Sequence, residues 1–244
     1  MKILRGFEDI PDMGYVVATI GSYDGVHRGH RILIDEVVRR ARQHNGTSLV
    51  LTFEPHPRIA LGKDEGLELL STLDEKCALL EAAGVDFLLA IPFNRAFSAL
   101  PHDAFVREYL VERLRVKELV VGYNHHFGRD REGSFASLLE VGDIIVTQIE
   151  QQRAEGDKIS STVIRHTLAS GDMATVARLL GHPYIVYGRR GADNELTVDR
   201  YKMLPPIGEY MALVDGVPTK VEVTPRRTIR QDVPFINDSK IGFL

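Results

Sequence analysis

Five apolar segments in the first 150 residues constrain the fold more than any other feature of this 244-residue chain. They are rich in Val, Ile and Leu and do not alternate cleanly with polar residues, so both faces of each predicted strand are buried. The segments lie at residues 15–20, 48–53, 86–91, 118–122 and 143–149. Strands of this kind are typical of a parallel sheet that helices cover on both sides.

Helical patterns separate the predicted strands along the chain. Helix-like segments lie at 30–44, 73–83, 102–114, 134–140, 162–169 and 173–180. Alternating strands and helices predict an α/β fold with a doubly wound parallel sheet. Gly181 and Pro183 are suited to end the last of these helices, so we expect the α/β domain to span residues 1–183.

Residues 184–244 have a different pattern, without convincing helical periodicity. Two strand-like segments at 210–214 and 219–223 flank Asp215-Gly216, a dipeptide typical of a two-residue β-hairpin turn. We therefore expect a small, truncated all-β domain to follow the α/β domain.

The charge and cysteine content argue against several classes of protein. The net charge is −4 and no block of like charges occurs, which argues against a nucleic-acid partner. Cys77 is the only cysteine, so no disulfide can form within the chain, which fits a reducing compartment. No apolar run reaches the ~20 residues of a membrane span. The acidic first residues do not resemble a signal peptide. We expect a cytoplasmic protein that binds neither nucleic acid nor a membrane, and its oligomeric state stays open.

Polar and glycine-rich clusters follow the predicted strands, at the edge of the sheet where open α/β folds bind ligands. They are GSYDGVHRGH (21–30), EPHP (54–57), PFNRAF (92–97), GYNHHFG (122–128) and KISSTVIR (158–165). Because parallel strands end at one edge, we expect these clusters to form a single site.

The first cluster has the features of an anion site. Gly21 and Gly25 allow a sharp turn after the strand, and Gly29 leaves room at the start of the helix. The amides and the positive dipole end of that helix then face an anion. The cluster also holds Asp24, and it is neither a P-loop nor the dinucleotide pattern GxGxxG.

Two histidines, His27 and His30, flank this predicted anion site. Imidazole N–H groups donate hydrogen bonds to phosphate oxygens, so phosphate binding is the main hypothesis. Two alternatives stay open. The loop is a tight turn with incidental histidines, or the pair binds zinc together with a third ligand that the sequence does not indicate.

The cluster KISSTVIR carries three consecutive hydroxyls, those of Ser160, Ser161 and Thr162, directly before a predicted helix. One of them is expected to cap that helix. Arg165 lies about one turn after Ser161 on the same face and adds positive charge. The group is suited to a di- or triphosphate.

The other clusters constrain function less. Asn124 either binds a ligand through hydrogen bonds or satisfies its own turn. His56 lies between two prolines, in a rigid loop near the predicted site. His125 and His126 are adjacent at a strand end and point apart, so one pocket does not use both.

Together these residues resemble the adenylyltransferase module of the bifunctional prokaryotic riboflavin kinase/FAD synthetases, in the HxGH nucleotidyltransferase superfamily. The HxGH motif reads HRGH at 27–30, and the ISSTxxR motif reads ISSTVIR at 159–165. Four further stretches are similar to the flavin-specific members, namely LTFEPHP, GVDFLLAIPF, VVGYNHHFG and LLGHPY. The resemblance covers about residues 1–185.

The resemblance implies that AMP passes from ATP to FMN, giving FAD and pyrophosphate, with Mg²⁺ bound to the phosphates and no metal ligand from the protein. It implies catalytic roles for His27, His30 and Arg165. The nucleotide-binding residues are then Gly21, Asp24, Gly25, Gly29, Ser160, Ser161 and Thr162, and the flavin-binding residues are Phe53, His56, Pro57 and Asn124.

Some positions depart from the family pattern. Val163 stands where many relatives carry an arginine, and Ser22-Tyr23 replaces asparagine or threonine followed by phenylalanine. In residues 184–244 a conserved kinase stretch of the family is absent and the chain ends before a later catalytic segment. We therefore expect a reduced riboflavin-kinase-like domain without kinase activity. The alternatives are an adenylyl- or cytidylyltransferase with another phosphate acceptor, and a non-catalytic flavin- or nucleotide-binding protein.

Overall fold

The computed structural model describes residues 1–123, 128, 133–141, 144–150, 153–154, 157–191, 193, 195–233, 235 and 237–244. Contacts between residues divide the chain into two compact units. Unit 1 comprises Met1–Tyr23, His30–Gly66 and Leu79–Gln151, and unit 2 comprises Asp24–Gly29, Leu67–Ala78 and Gln152–Leu244. Each unit is thus assembled from segments that are distant in the sequence. The division into functional domains at residue 183 stays a prediction.

Unit 1 is built on a parallel sheet. Its strands are β1 (Lys2–Arg5), β2 (Val16–Ile20), β3 (Thr47–Glu54), β4 (Phe87–Pro92), β5 (Val116–Gly122) and β6 (Ile145–Ile149). They form one six-stranded sheet in the order β1-β4-β3-β2-β5-β6, and every pair is parallel. The predicted parallel sheet is confirmed. The edge strand β1 was not predicted, because it is only four residues long and mostly exposed.

Eight α-helices and one π-helix occur in the part of the chain that the structure describes. They are α1 (Arg28–Gln43), α2 (Pro57–Ala60), α3 (Leu73–Ala82), α4 (Arg95–Ser98), α5 (His102–Ala104), the π-helix (Phe105–Arg113), α6 (Phe135–Val141), α7 (Ser161–Ala169) and α8 (Met173–Leu180). The helix predicted at 102–114 continues from α5 as the wider π-helix. Apolar spacing over so few turns does not distinguish the two helix types.

The four central strands of unit 1 are mostly buried because both of their faces are apolar. All five residues of β2 are buried. One face of the sheet packs with the π-helix and α6 in a cluster that includes Val16, Ala18, Leu49, Leu51, Phe105, Leu110 and Leu138. The opposite face packs on α1, in a cluster formed by Val17, Val37, Ala41 and Val120. Helices therefore cover both faces, as the sequence predicts.

The strand order reverses direction beside β2. Strands β3 and β4 lie on one side of β2, and β5 and β6 lie on the other. Such a reversal opens a crevice at the carboxyl ends of the strands, where open α/β folds bind ligands. β2 ends at Ile20, so Gly21 and Tyr23 of the first cluster lie at this point.

Unit 2 contains a closed antiparallel barrel. Its strands are β9 (Tyr184–Arg190), β10 (Leu196–Thr197), β11 (Gly208–Val214), β12 (Val217–Val223), β13 (Thr228–Gln231) and β14 (Ser239–Phe243), after a short pair formed by β7 (Arg153–Ala154) and β8 (Asp157–Lys158). The barrel closes in the order β10-β13-β12-β11-β14-β9. The predicted all-β region is confirmed, and closure leaves no open sheet edge.

The hairpin of β11 and β12 turns at the predicted dipeptide. Asp215 has φ of 50° and Gly216 has φ of 88°, so both are left-handed, as a type I′ turn requires. Within the described residues of 184–244 no helix occurs. None of the described helices in the chain is long and apolar enough to cross a membrane.

Candidate active site

The carboxylate of Asp24 is the centre of a hydrogen-bonded cluster in unit 2. The residue is 4% exposed, and its Oδ1 accepts from the backbone N–H of Ser71 at 2.9 Å. Its Oδ2 accepts from Nη2 of Arg165, in a salt bridge of 2.5 Å. One buried carboxylate thus joins the loop after β2 to helix α7.

The guanidinium of Arg165 is fixed at two points. Besides the salt bridge with Asp24, its Nε donates to the backbone carbonyl of Glu68 at 2.7 Å. Its side chain remains 28% exposed. A guanidinium carries five N–H donors in a rigid fork, so these contacts orient the group and leave further donors for an anion.

The three hydroxyls at the start of α7 have separate environments. Ser160 caps the helix, because its Oγ accepts from the N–H of Val163 at 3.3 Å. Ser161 Oγ donates to the backbone carbonyl of Asp24 at 3.0 Å, and Thr162 is exposed. The expected capping role therefore belongs to Ser160, and Ser161 also ties α7 to the first cluster.

The two glycines of the first turn are needed for different reasons. Gly25 has φ of 81°, and a Cβ there would lie 3.0 Å from the side chain of Leu70. Gly21 is not left-handed, and a Cβ would instead lie 3.1 Å from the ring of Tyr23. Gly21 lies in the bend after β2, so its part in the turn stays a prediction, and its lack of a Cβ also leaves space for an aromatic ring.

Two residues with side chains also adopt left-handed backbone in this loop. Tyr23 has φ of 47° and Val26 has φ of 41°. Such conformations are strained for a bulky or β-branched residue and cluster at functional sites. These conformations were not predicted, because neither tyrosine nor valine favours positive φ.

The imidazole of His27 is buried in unit 2, with 5% of the residue exposed. Burial is the main cause that lowers the pKa of His27 to about 4, and the nearby carboxylate of Asp24 partly opposes it. The ring packs beside Gly29, where a Cβ would lie 3.2 Å away from it. His27 is therefore neutral at pH 7 in the protein without ligand.

The buried His27 makes a testable contribution to acid stability. Below pH 6.5 the unfolded chain binds a proton at this residue, whereas the native protein does so only below about pH 4. The unfolded state holds more protons in this window, so stability falls as the pH falls through it, by about 3 kcal/mol. We expect urea denaturation of His27→Gln to show a correspondingly weaker pH dependence between pH 7 and 4.

The control for this experiment is His166→Gln, at an exposed position of α7. It should follow the pH dependence of the unsubstituted protein. An identical pH dependence for the His27 variant and the unsubstituted protein would show that His27 titrates alike in the folded and unfolded chains.

His30 lies in unit 1, two residues into α1. Its ring meets the ring of Tyr23 edge-on, with centroids 5.1 Å apart. The hydroxyl of Tyr23 lies 2.6 Å from Oγ1 of Thr19, and burial raises the pKa of that tyrosine. This packing fixes the direction of the His30 imidazole at the carboxyl end of β2.

The candidate flavin-binding residues follow β3 in unit 1. Phe53, near the end of β3, contacts Phe93 edge-on at 5.2 Å between ring centroids. His56 caps the short helix α2, since its Nδ1 accepts from the N–H of Arg58, and Pro57 is the first residue of that helix. Asn124, His125 and His126 lie outside the described residues.

Sequence reasoning missed the segment of unit 2 that supports Arg165. Ser71 binds Asp24 through its backbone and binds the N–H of Gly25 through its Oγ at 2.9 Å. The local signal for this region is the pattern TLDE at 72–75, a capping box in which Thr72 and Glu75 exchange side-chain-to-backbone hydrogen bonds. That pattern predicts the start of α3, but it does not indicate which distant residues the segment contacts.

The family model and the curated relatives that match this chain indicate the same family. The FAD synthetase family matches residues 10–163. A bifunctional riboflavin kinase/FMN adenylyltransferase of Escherichia coli K12 is 40% identical over 227 residues, covering 89% of this chain and 72% of that protein. The protein of the same name in Listeria monocytogenes is 36% identical over 208 residues, covering 80% and 66%.

A crystal structure described as a macrolide-efflux protein from Streptococcus pneumoniae has a TM-score of 0.85, covering 100% of this chain and 98% of that one. At 22% identity this likeness shows the fold alone. The fold and site define an α/β protein with an anchored arginine and a helix N-terminus suited to phosphate. More narrowly, the chain belongs to the FAD synthetase family, which confirms the resemblance seen in its motifs.

Proposed function

We propose that this protein is an FMN adenylyltransferase, which transfers AMP from ATP to FMN. An oxygen of the FMN phosphate attacks the α-phosphorus of ATP. The bond between that phosphorus and the oxygen leading to the β-phosphorus breaks, so FAD forms and pyrophosphate leaves. The small-molecule partners are therefore ATP, FMN, FAD and pyrophosphate.

Membership in the FAD synthetase family is the observation that carries this proposal. The family match at residues 10–163 includes His27 and His30, and it reaches the hydroxyl cluster at the start of α7. The relatives in Escherichia coli and Listeria monocytogenes both carry FMN adenylyltransferase in their names. The support from geometry is Arg165 of α7, whose guanidinium is held by the carboxylate of Asp24 and the carbonyl of Glu68.

No protein nucleophile takes part, so catalysis consists of positioning and of stabilising charge on the phosphates. Arg165 and the amides at the start of α7 bind the leaving pyrophosphate, and His27 and His30 donate hydrogen bonds to the phosphates near the reacting centre. His27 is neutral before substrate binds, and the polyphosphate charge raises its pKa once bound.

The remaining assignments also belong to the proposal. The nucleotide lies against Gly21, Asp24, Gly25, Gly29, Ser160, Ser161 and Thr162. Asp24 acts on the nucleotide through Arg165, since its carboxylate is already used by that guanidinium and by Ser71. The isoalloxazine of FMN contacts Phe53, His56, Pro57 and Asn124.

Mg²⁺ belongs to the proposal as a companion of ATP. It keeps several waters and usually binds substrate phosphates with one or two carboxylates, so it does not require a cage of protein ligands. In the described ranges no three His, Cys, Asp or Glu residues are grouped to hold a metal ion. When bound, Mg²⁺ would neutralise charge on the ATP polyphosphate.

The proposal excludes riboflavin kinase activity, because residues 184–244 lack a stretch that is typical of the family's kinase domain. The barrel nevertheless closes fully, and the proposal assigns it a supporting role without kinase chemistry. We assign the transferase to residues 1–183 and the reduced kinase-like domain to 184–244. A cytoplasmic location completes the proposal, with neither nucleic acid nor a membrane as partner.

A matrix of donors and acceptors tests this function. The purified protein with Mg²⁺ is given ATP or CTP, each with FMN, riboflavin, nicotinamide mononucleotide or glycerol 3-phosphate, and the products are separated by chromatography. We expect one productive pair, ATP with FMN. A preference for CTP or for another acceptor would indicate a different nucleotidyltransferase. Tight FMN binding without turnover for any pair would indicate a non-catalytic binding protein.

A further inference from the structure

A fully buried lysine connects the barrel strands to the segment that holds Arg165. Lys202 is 0% exposed, and its Nζ donates to the carbonyl of Leu70 at 2.6 Å, to the carbonyl of Ile185 at 2.7 Å and to Oε2 of Glu75 at 2.8 Å. These contacts use all three donors of the ammonium group. The group also lies 4.1 Å from the centre of the Tyr184 ring.

Glu75 completes the network from the other side. Its Oε1 accepts from the N–H of Tyr187 in β9 at 2.7 Å, and its Oε2 accepts from the N–H of Thr72 at 2.8 Å as well as from Lys202. The carboxylate is 0% exposed and has three donors. Burial lowers the pKa of Lys202, and the carboxylate of Glu75 opposes that change.

Backbone pairing holds the same segment in register. The N–H of Leu69 donates to the carbonyl of Tyr201 at 2.7 Å, and the N–H of Met203 donates to the carbonyl of Leu69 at 2.8 Å. Lys202 therefore lies opposite Leu69 in a short parallel bridge. The segment 68–72 is attached to residues 201–203 by both its backbone and the lysine.

This attached segment carries the groups that orient the proposed phosphate-binding arginine. The carbonyl of Glu68 accepts from Nε of Arg165. The N–H of Ser71 donates to the carboxylate of Asp24, which also accepts from Nη2 of Arg165. Leu70, one of the two residues between Glu68 and Ser71, is the one whose carbonyl Lys202 binds. We propose that Lys202 is a positioning residue for Arg165, acting through the segment 68–72; this inference rests on the proposed function.

The inference gives the barrel a role in adenylyl transfer. An apolar side chain of similar size at position 202 fills the same space but cannot bind the carbonyl of Leu70. The segment then relaxes, and the guanidinium of Arg165 moves with the Glu68 carbonyl. A displacement of about 1 Å at a catalytic group costs about 100-fold in rate. We therefore expect Lys202→Met to lower kcat about 100-fold.

A double-mutant cycle separates positioning from general damage. Arg165→Lys, Lys202→Met and their combination are compared for kcat, for KM of ATP and for ATP affinity by calorimetry. If Lys202 acts through Arg165, Arg165→Lys lowers kcat by a much smaller factor in the Lys202→Met background than in the unsubstituted protein. Losses in kcat that simply multiply in the double variant would overturn the inference.

Two further variants separate positioning from stability. In Lys202→Met/Glu75→Gln neither buried charge is left unpaired, so stability recovers relative to Lys202→Met, whereas kcat stays low because Leu70 still lacks its donor. Val221→Ala, at a buried barrel position, is the control that lowers stability without removing a contact of segment 68–72. Its kcat should match that of the unsubstituted protein at a temperature where both are folded. Recovery of kcat together with stability in the double variant would overturn the inference.

The unsubstituted protein distinguishes this inference from the proposed function. If it makes no FAD from FMN and ATP, the proposed function fails. The double-mutant cycle is then evaluated from ATP affinity alone. Arg165→Lys is expected to lower ATP affinity less in the Lys202→Met background than in the unsubstituted protein. Affinity losses that multiply would overturn the inference.

Discussion

We expect His30→Ala to form FAD from FMN and ATP 100- to 1,000-fold more slowly than the unsubstituted protein, a loss of about 3–4 kcal/mol. The imidazole of His30 is directed by the buried ring of Tyr23 at the carboxyl end of β2. A preorganised donor of this kind contributes most when charge develops on the phosphate in the transition state. Steady-state kinetics with saturating FMN and ATP measure the effect in kcat.

The matched control is His166→Ala, which removes an exposed imidazole from α7. Its kcat should stay within about twofold of the unsubstituted value, since surface substitutions away from a site change little. Thermal denaturation of both variants checks that the His30 effect is not a folding defect. Near-normal turnover of a folded His30→Ala protein would refute the assigned mechanism.

The second large effect is expected on stability, at Glu75. Glu75→Gln leaves the ammonium of Lys202 buried without its counter-charge, while its hydrogen bonds to the carbonyls of Leu70 and Ile185 remain. Removing one partner of a buried ion pair costs about 3–5 kcal/mol, because the other charge stays desolvated. The expected result is a free energy of unfolding lower by that amount, measured by urea denaturation at pH 7.

Glu81→Gln is the matched control for this substitution. Glu81 pairs with the amino group of Met1 and its side chain is 64% exposed, so the loss should stay below about 1 kcal/mol. Equal stability losses for the two variants would mean that the Lys202–Glu75 pair is not buried as the structure places it. The difference between the two therefore tests the network itself.

The parallel sheet could be predicted because its strands are unlike half-exposed strands. Burial on both faces produces continuous apolar runs, and all five residues of β2 illustrate this. The edge strand β1 was not predicted, because most of its residues are exposed and its sequence therefore has no continuous apolar run. The hairpin at Asp215-Gly216 was predictable because left-handed backbone favours these residue types.

The support of Arg165 could not be predicted, because it depends on contacts between residues far apart in the chain. Local spacing places Ser161 and Arg165 on one helical face, and it predicts that one of the three hydroxyls caps α7, which the structure identifies as Ser160. It does not reveal that Asp24, 141 residues away, holds the guanidinium. Burial of a lysine such as Lys202 is also contrary to the usual preference of that residue type.

The most direct test of adenylyl transfer follows the phosphorus atoms of ATP. The protein is mixed with FMN or riboflavin, Mg²⁺, and ATP labelled at either the α- or the γ-phosphorus, and the labelled products are separated. The account predicts that the α-label enters FAD from FMN, that the γ-label appears in pyrophosphate, and that riboflavin acquires neither. An α-label that stays in ADP or AMP without FAD would contradict the proposed reaction, and a γ-label on riboflavin would contradict the absence of kinase activity.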